Sequence, residues 1–226
     1  MPSITESSIT EPIPTDLRAD VNQRAAAQFA LIDDYAEEDA FFAEIDALAA
    51  ELPAGDADGL FHRACARDSW GHPDLAVPLY RDALERGGLT GENRRRAVIQ
   101  LASSLRNTGA AAAGLALLEA ERAHGSDHLD DALACTTALC LATLGRDREG
   151  LSLVVTALAG HLPRYNRSMA NYGRALLDGD DSWPASKDLP FRNHGFGQPM
   201  LVPVNRRRAN RAAVTAVTPG PRADPR

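Results

Sequence analysis

Three groups of side chains have types and spacings that could do chemistry. His124, Asp127, His128 and Asp131 bring imidazoles and carboxylates close to one helix start, and these are ligand types that suit zinc. His124 precedes the break at Gly125, so it need not share a face with the others, and Asp127 has a second reading as the cap of the following helix. No metal and no cofactor is expected on that balance. Cys65, Cys135 and Cys140 are odd in number, lack paired C-x-x-C spacing and fall inside helix-like segments. They read as buried reduced thiols rather than a disulfide framework or a metal site. Arg206, Arg207, Arg208 and Arg211 could form an arm for nucleic acid or anionic lipid, or a solubilising tail. No aromatic residues interleave with them, which favours the tail. The sequence carries no nucleophile elbow, phosphate loop or His-Glu-x-x-His pattern, so no catalytic residue is assigned and no enzyme is expected.

Charge narrows the partners. From Gly179 onward the basic residues exceed the acidic ones by four, so the rest of the chain carries −11 against a total of −7. An acidic body repels nucleic acid and anionic membrane alike. No stretch reaches the ~18 uninterrupted apolar residues of a membrane helix, and the first residues lack a signal peptide's basic and apolar regions. Those features predict a cytoplasmic protein. Lysine occurs once, at Lys187, with arginine everywhere else, a bias of a GC-rich genome and not of chemistry.

Positioning these side chains falls to helices, because Ala and Leu dominate the 226 residues while aromatics make up 5%. Residues 1–15 read as a disordered lead. Residues 16–56 hold two helices, about Asp16 to Asp33 and Ala36 to Leu52, that pack on the repeats; Pro53 and Gly55 then break the chain. Residues 57–161 form those repeats. Gly71, Gly109 and Gly145 are each followed five residues on by a small residue (Ala76, Gly114, Gly150) and four later by a bulkier one (Tyr80, Leu118, Val154). Twelve residues before each small residue lies another, Ala64, Ala102 or Ala138. The pattern is that of a helix, a glycine turn and a second helix folded back on the first, with small residues where the backbones touch. Ala76, Gly114 and Gly150 stand 38 and 36 residues apart, and loops at 87–92 and 125–127 absorb the excess. A capping helix over 162–178, starting near Pro163, and a Pro- and Arg-rich flexible tail over 179–226 complete the chain. In that tail Pro199 to Val204 is the one apolar island.

The run Ala64, Gly71, Ala76, Tyr80 and Ala83 resembles a tetratricopeptide repeat, and Ala64 to Leu84 with Leu101 to Gly109 resembles the short bacterial group-five tetratricopeptide family. The likeness spans about Leu60 to His161. It departs from the pattern at Gly114 and Gly150, which replace Ala, and at Glu121, which replaces the second Ala. The resemblance implies an all-α fold, a right-handed α-solenoid of about three hairpins with capping helices at both ends. It also implies a protein–protein interaction adaptor or scaffold that takes a peptide or protein partner in its concave groove.

With the first helix of each hairpin lining that groove, helical phase selects its side chains. Copy one presents Asp58, Phe61, His62, Cys65, Asp68 and Ser69; copy two Arg96, Ile99, Gln100, Ser103, Arg106 and Asn107; copy three Ala132, Cys135, Thr136, Leu139 and Thr143. The partner-binding candidates among them are Phe61, His62, Asp68, Arg96, Gln100, Ser103, Arg106, Asn107, Thr136 and Leu139. Asp68 and Arg106 occupy equivalent positions, which leaves two readings of Arg106. It bridges to Asp68 and sets the hairpin spacing, or, with Asn107 and Gln100, it grips a ligand carboxylate or backbone. Some proteins of this family hold a C-terminal carboxylate with Lys and Asn at the positions that here are Phe61 and Cys65, so that activity does not transfer. The alternative function is a regulatory protein whose arginine tail contacts nucleic acid.

Overall fold

The structure, a computed structural model, describes residues 15–178. The lead, and the tail with its apolar island and arginine cluster, lie outside the described residues. Within them the chain forms nine α-helices, one 3-10 turn at Ile32–Asp34 and no strand. The helices are α1 Thr15–Ala30, α2 Glu38–Ala50, α3 Ala57–Ser69, α4 Pro73–Arg86, α5 Asn93–Asn107, α6 Ala111–Arg122, α7 Asp130–Thr143, α8 Asp147–Ala159 and α9 Asn166–Ala175. Three hairpins arise from the pairs α3–α4, α5–α6 and α7–α8, stacked side by side as an all-α solenoid.

The three turns are one device repeated. Gly71, Gly109 and Gly145 sit at φ 85, 86 and 75°, where an L side chain is strained. In each turn the next amide donates back to a carbonyl of the helix just ended: His72 to Arg67 (2.9 Å), Ala110 to Leu105 (2.7 Å) and Arg146 to Leu141 (2.9 Å). These bonds satisfy carbonyls the helix ends would otherwise leave bare.

The departures from the repeat pattern are explained by closer contact. Ala76 is fully buried between α3 and α4. In the next hairpins a Cβ on Gly114 would stand 2.7 Å from the Ala102 carbonyl oxygen, and one on Gly150 2.9 Å from that of Ala138. Glycine there lets the paired helices approach more closely than alanine permits. Glu121, where the first hairpin has Ala83, is buried, and Arg94 donates to both its oxygens at 2.8 and 2.7 Å. A buried carboxylate needs such a partner.

Apolar cores lie between successive helices. Phe61, Tyr80, Ala97 and Leu101 join hairpins one and two, and Leu115, Leu118, Leu133 and Cys140 join two and three. Phe41 and Ile45 of α2 pack with Ala66 against α3, with Phe29 and Tyr35 edge-on to Phe41 at 5.3 and 5.1 Å. At the other end α9 begins at Asn166 rather than near Pro163, because Tyr165 adopts φ 70° and a left-handed residue interrupts a helix.

Candidate functional site

The candidate residues lie on α3, α5 and α7, and α1 changes what the first of them can do. Asn22 of α1 accepts from His62 Nε2 (2.5 Å) and donates to Thr90 Oγ1 (2.9 Å), in the loop before α5. Arg18, a turn earlier, donates to Asp56 Oδ2 (2.6 Å) and to the Gly88 carbonyl (3.1 Å), and lies 3.7 Å from Asp58. Asp58 is wholly buried, and it also accepts from Asn93 Nδ2 (3.0 Å) and Thr90 Oγ1 (2.8 Å). Asp56 caps α3 through the amides of Asp58 and Gly59. Thus α1 is tied to α3 and also, past it, to the start of α5.

Phe61 and His62 are buried, not open to a partner. Phe61 packs on Tyr80, with the Arg96 guanidinium 5.2 Å from its ring centre. Burial first, and the charge of Arg96 with it, pushes His62 down to about 4 against the pull of Asp58. A cleft of about 440 Å³ remains between Asn22, Gln23 and Phe29 of α1, His62, and the Thr90 to Arg96 segment.

Asp68 and Arg106 do not meet. Asp68 turns into the hairpin interface, where Ser104 Oγ donates to it at 2.8 Å and the Tyr80 hydroxyl lies 3.5 Å away. Burial raises its carboxyl above the usual range against those two donors. The groove bridge, one of the two readings of Arg106, is therefore replaced by a part-buried contact, because Ser104, on the buried side of α5, supplies a closer partner. Arg106 is left with Asn107, donating Nη2 to Oδ1 at 2.9 Å, while its Nε–H is buried without an acceptor. Its charge is felt by Cys140 of α7, whose thiol burial nonetheless pushes up.

The other candidates spread along the same face. Arg96 donates to Asn93 Oδ1 (3.2 Å), and Gln100 Oε1 accepts from Cys65 Sγ (3.3 Å), whose thiol burial pushes up to about 12. Ser103 is half-buried and Asn107 exposed. Thr136 donates to its own helix at Ala132, and Leu139 is exposed. Cys65 and Cys140 are buried, as expected, but Cys135 is exposed, since it sits on the open side of α7 one position from Thr136. The imidazole–carboxylate group does not converge: His124 pairs with the Ala120 carbonyl, His128 with Glu92, Asp131 with His161, and Asp127 accepts from the Leu129 amide. Among the described residues no three or more such side chains could hold a metal together.

Helix hairpins stacked through small residues define a helical-repeat scaffold. The sequence profile described as tetratrico peptide repeat matches residues 57–176, from α3 to the end of α9. The chain belongs to that family, whose repeats generally mediate protein–protein interaction and generally serve as non-enzymatic scaffolds. Neither the curated proteins nor the solved structures include a match to it. No helix among the described residues is long and apolar enough to cross a membrane.

Sequence reasoning missed Arg18, Asn22 and Asn93. Only the polar residues Asp56 and Asp58 at a helix start hinted at them, since buried carboxylates require donors from elsewhere in the chain.

Proposed function

We propose that this protein is a cytoplasmic, non-enzymatic adaptor that holds a peptide or protein partner on the stretch of groove formed by α5 and α7. The partner-facing set is Gln100, Ser103, Arg106, Asn107, Thr136 and Leu139, with Arg96 at its edge; Phe61, His62 and Asp68 support it from within. One observation carries the reading. Arg106 holds a buried Nε–H with no acceptor, while the other end of its guanidinium reaches only as far as the neighbouring Asn107. An orphaned donor of that kind costs roughly 1–3 kcal/mol, so the guanidinium gains by turning outward to meet a ligand acceptor. The guanidinium fork suits a carboxylate or paired backbone carbonyls, and Leu139 offers an apolar anchor on the adjoining helix.

The test is affinity capture from the native host with the parent chain and Arg106→Ala as parallel baits. A polypeptide held by the parent and lost from the variant supports the reading. Recovery of the same polypeptides in equal amounts by both baits contradicts it.

A further inference from the structure

Helix α5 is basic in a chain whose residues 1–178 carry a net charge of −11. It holds Arg94, Arg95, Arg96 and Arg106 and no acidic residue. At about 100° per residue, its buried Ala97, Val98, Leu101, Ala102 and Leu105 fall on one side. Arg96, Gln100, Ser103, Arg106 and Asn107 fall on the opposite side, half-buried or exposed.

The four arginines divide into two pairs. Arg94 is committed to the buried carboxylate of Glu121, and Arg95 to Asp130, with Asp127 3.4 Å from its Nε. Arg96 and Arg106 have no such anchor. The carboxylate beside Arg96 is that of Glu92, 3.7 Å away in an exposed pair and shared with His128 at 2.8 Å. Exposed pairs of that kind are weak and readily exchanged. Arg106 donates to the neutral side chain of Asn107 and keeps a buried Nε–H without an acceptor.

The flanking helices do not offset these two charges. On α3, Asp58 is wholly buried with Thr90 and Asn93, and Asp68 turns to Ser104. On α7, Asp130 and Asp131 of the first turn are held by Arg95 and His161, and the rest of the helix is uncharged.

Spacing then sets what fits. Arg96 and Arg106 are ten residues apart, about 15 Å along the helix. An extended polypeptide rises about 3.3 Å per residue and turns alternate side chains to one face, so residues four apart stand about 13 Å apart on the same side. Gln100 and Ser103, between the two arginines, offer uncharged groups suited to a peptide backbone. The cleft of about 440 Å³ that Arg96 lines gives one acidic side chain room beside it.

We propose, resting on the α5–α7 groove reading, that the partner is an acidic polypeptide segment lying extended along α5, with two carboxylate side chains four residues apart received by Arg96 and Arg106. The test is a fluorescence anisotropy titration of the full chain into a fluorescein-labelled peptide of alanine, serine and leucine with blocked termini and two glutamates four residues apart. Its affinity should exceed by at least about fivefold that of the same residues with the glutamates adjacent, and that of a peptide with glutamine in both places. Arg96→Gln and Arg106→Gln should each remove the preference with unchanged helical circular dichroism. A charge exchange separates recognition from local damage to the fold. Of two peptides in which one or the other glutamate is replaced by lysine, one should bind Arg106→Glu more tightly than it binds the parent. No binding of the glutamate peptide, equal binding of the glutamine peptide, a preference that survives Arg96→Gln, or a failed charge exchange overturns the proposal. A host polypeptide lost from Arg106→Ala but fully held by Arg96→Gln overturns it too, while leaving the groove reading in place.

Discussion

Gly114 and Ala102 face each other across α5 and α6 so closely that a methyl group on Gly114 would lie 2.7 Å from the Ala102 carbonyl oxygen. In an open helix Gly→Ala gains up to about 1 kcal/mol, and here the clash with backbone reverses the sign. Gly114→Ala should destabilise by about 1–3 kcal/mol in urea unfolding, and Ala76→Leu in the first hairpin by a similar amount, since neither site has room for added carbon. Gly71→Ala should cost less, about 1 kcal/mol, because its strain is one of φ alone with open space around it.

The His62 imidazole ties stability to pH. Its folded pKa, about 4, lies below the ordinary 6.5, so the folded state resists protonation. This contribution is therefore whole above pH 6.5 and is lost progressively as pH falls from 6.5 towards 4. Up to about 3 kcal/mol is at stake, at 1.36 kcal/mol per unit. The melting temperature of the parent should fall over that window more steeply than that of His62→Gln, which cannot charge. Parallel curves would show that His62 is not buried under α1.

Arg18 carries the other half of that attachment. Arg18→Ala removes the donor to Asp56 and the neighbouring charge of Asp58, leaving two buried carboxylates short of compensation. The expected cost is about 2–3 kcal/mol, at the low end of a broken buried pair because Arg18 is itself partly exposed. Proteolysis should then cut first in the 31–37 connection after α1.

The thiols give a direct check on burial. A maleimide should react quickly with Cys135 alone in the native protein, because Cys65 and Cys140 are buried with their thiols pushed up. All three should react after denaturation. Two fast native thiols would contradict the packing of α5 on α3 or α7.

The hairpins were legible because their devices are local and recur: Gly71, Gly109 and Gly145 mark each turn, and the small residues at fixed offsets mark each contact. The groove was legible only in its phase. Arg106, Gln100 and Thr136 are half-buried on α5 and α7, but Asp68 had two possible partners, and periodicity cannot rank Ser104 above Arg106. The His62 contact with Asn22 joins residues 40 apart in the chain, and no spacing rule reaches that far. The seat of α9 was hidden for a similar reason. It docks through Gly173 and Ser152, small residues whose role shows only when two helices are already together.

The proposed binding in the groove turns on Arg106, and titration calorimetry with a captured partner tests it most directly. Arg106→Ala should weaken binding at least tenfold, about 1.4 kcal/mol, with little change in melting temperature. Arg106→Lys should also bind more weakly, because an ammonium keeps the charge but loses the fork. Unchanged affinity in both variants would contradict a groove built around Arg106 and move the binding surface off the face of α5 and α7.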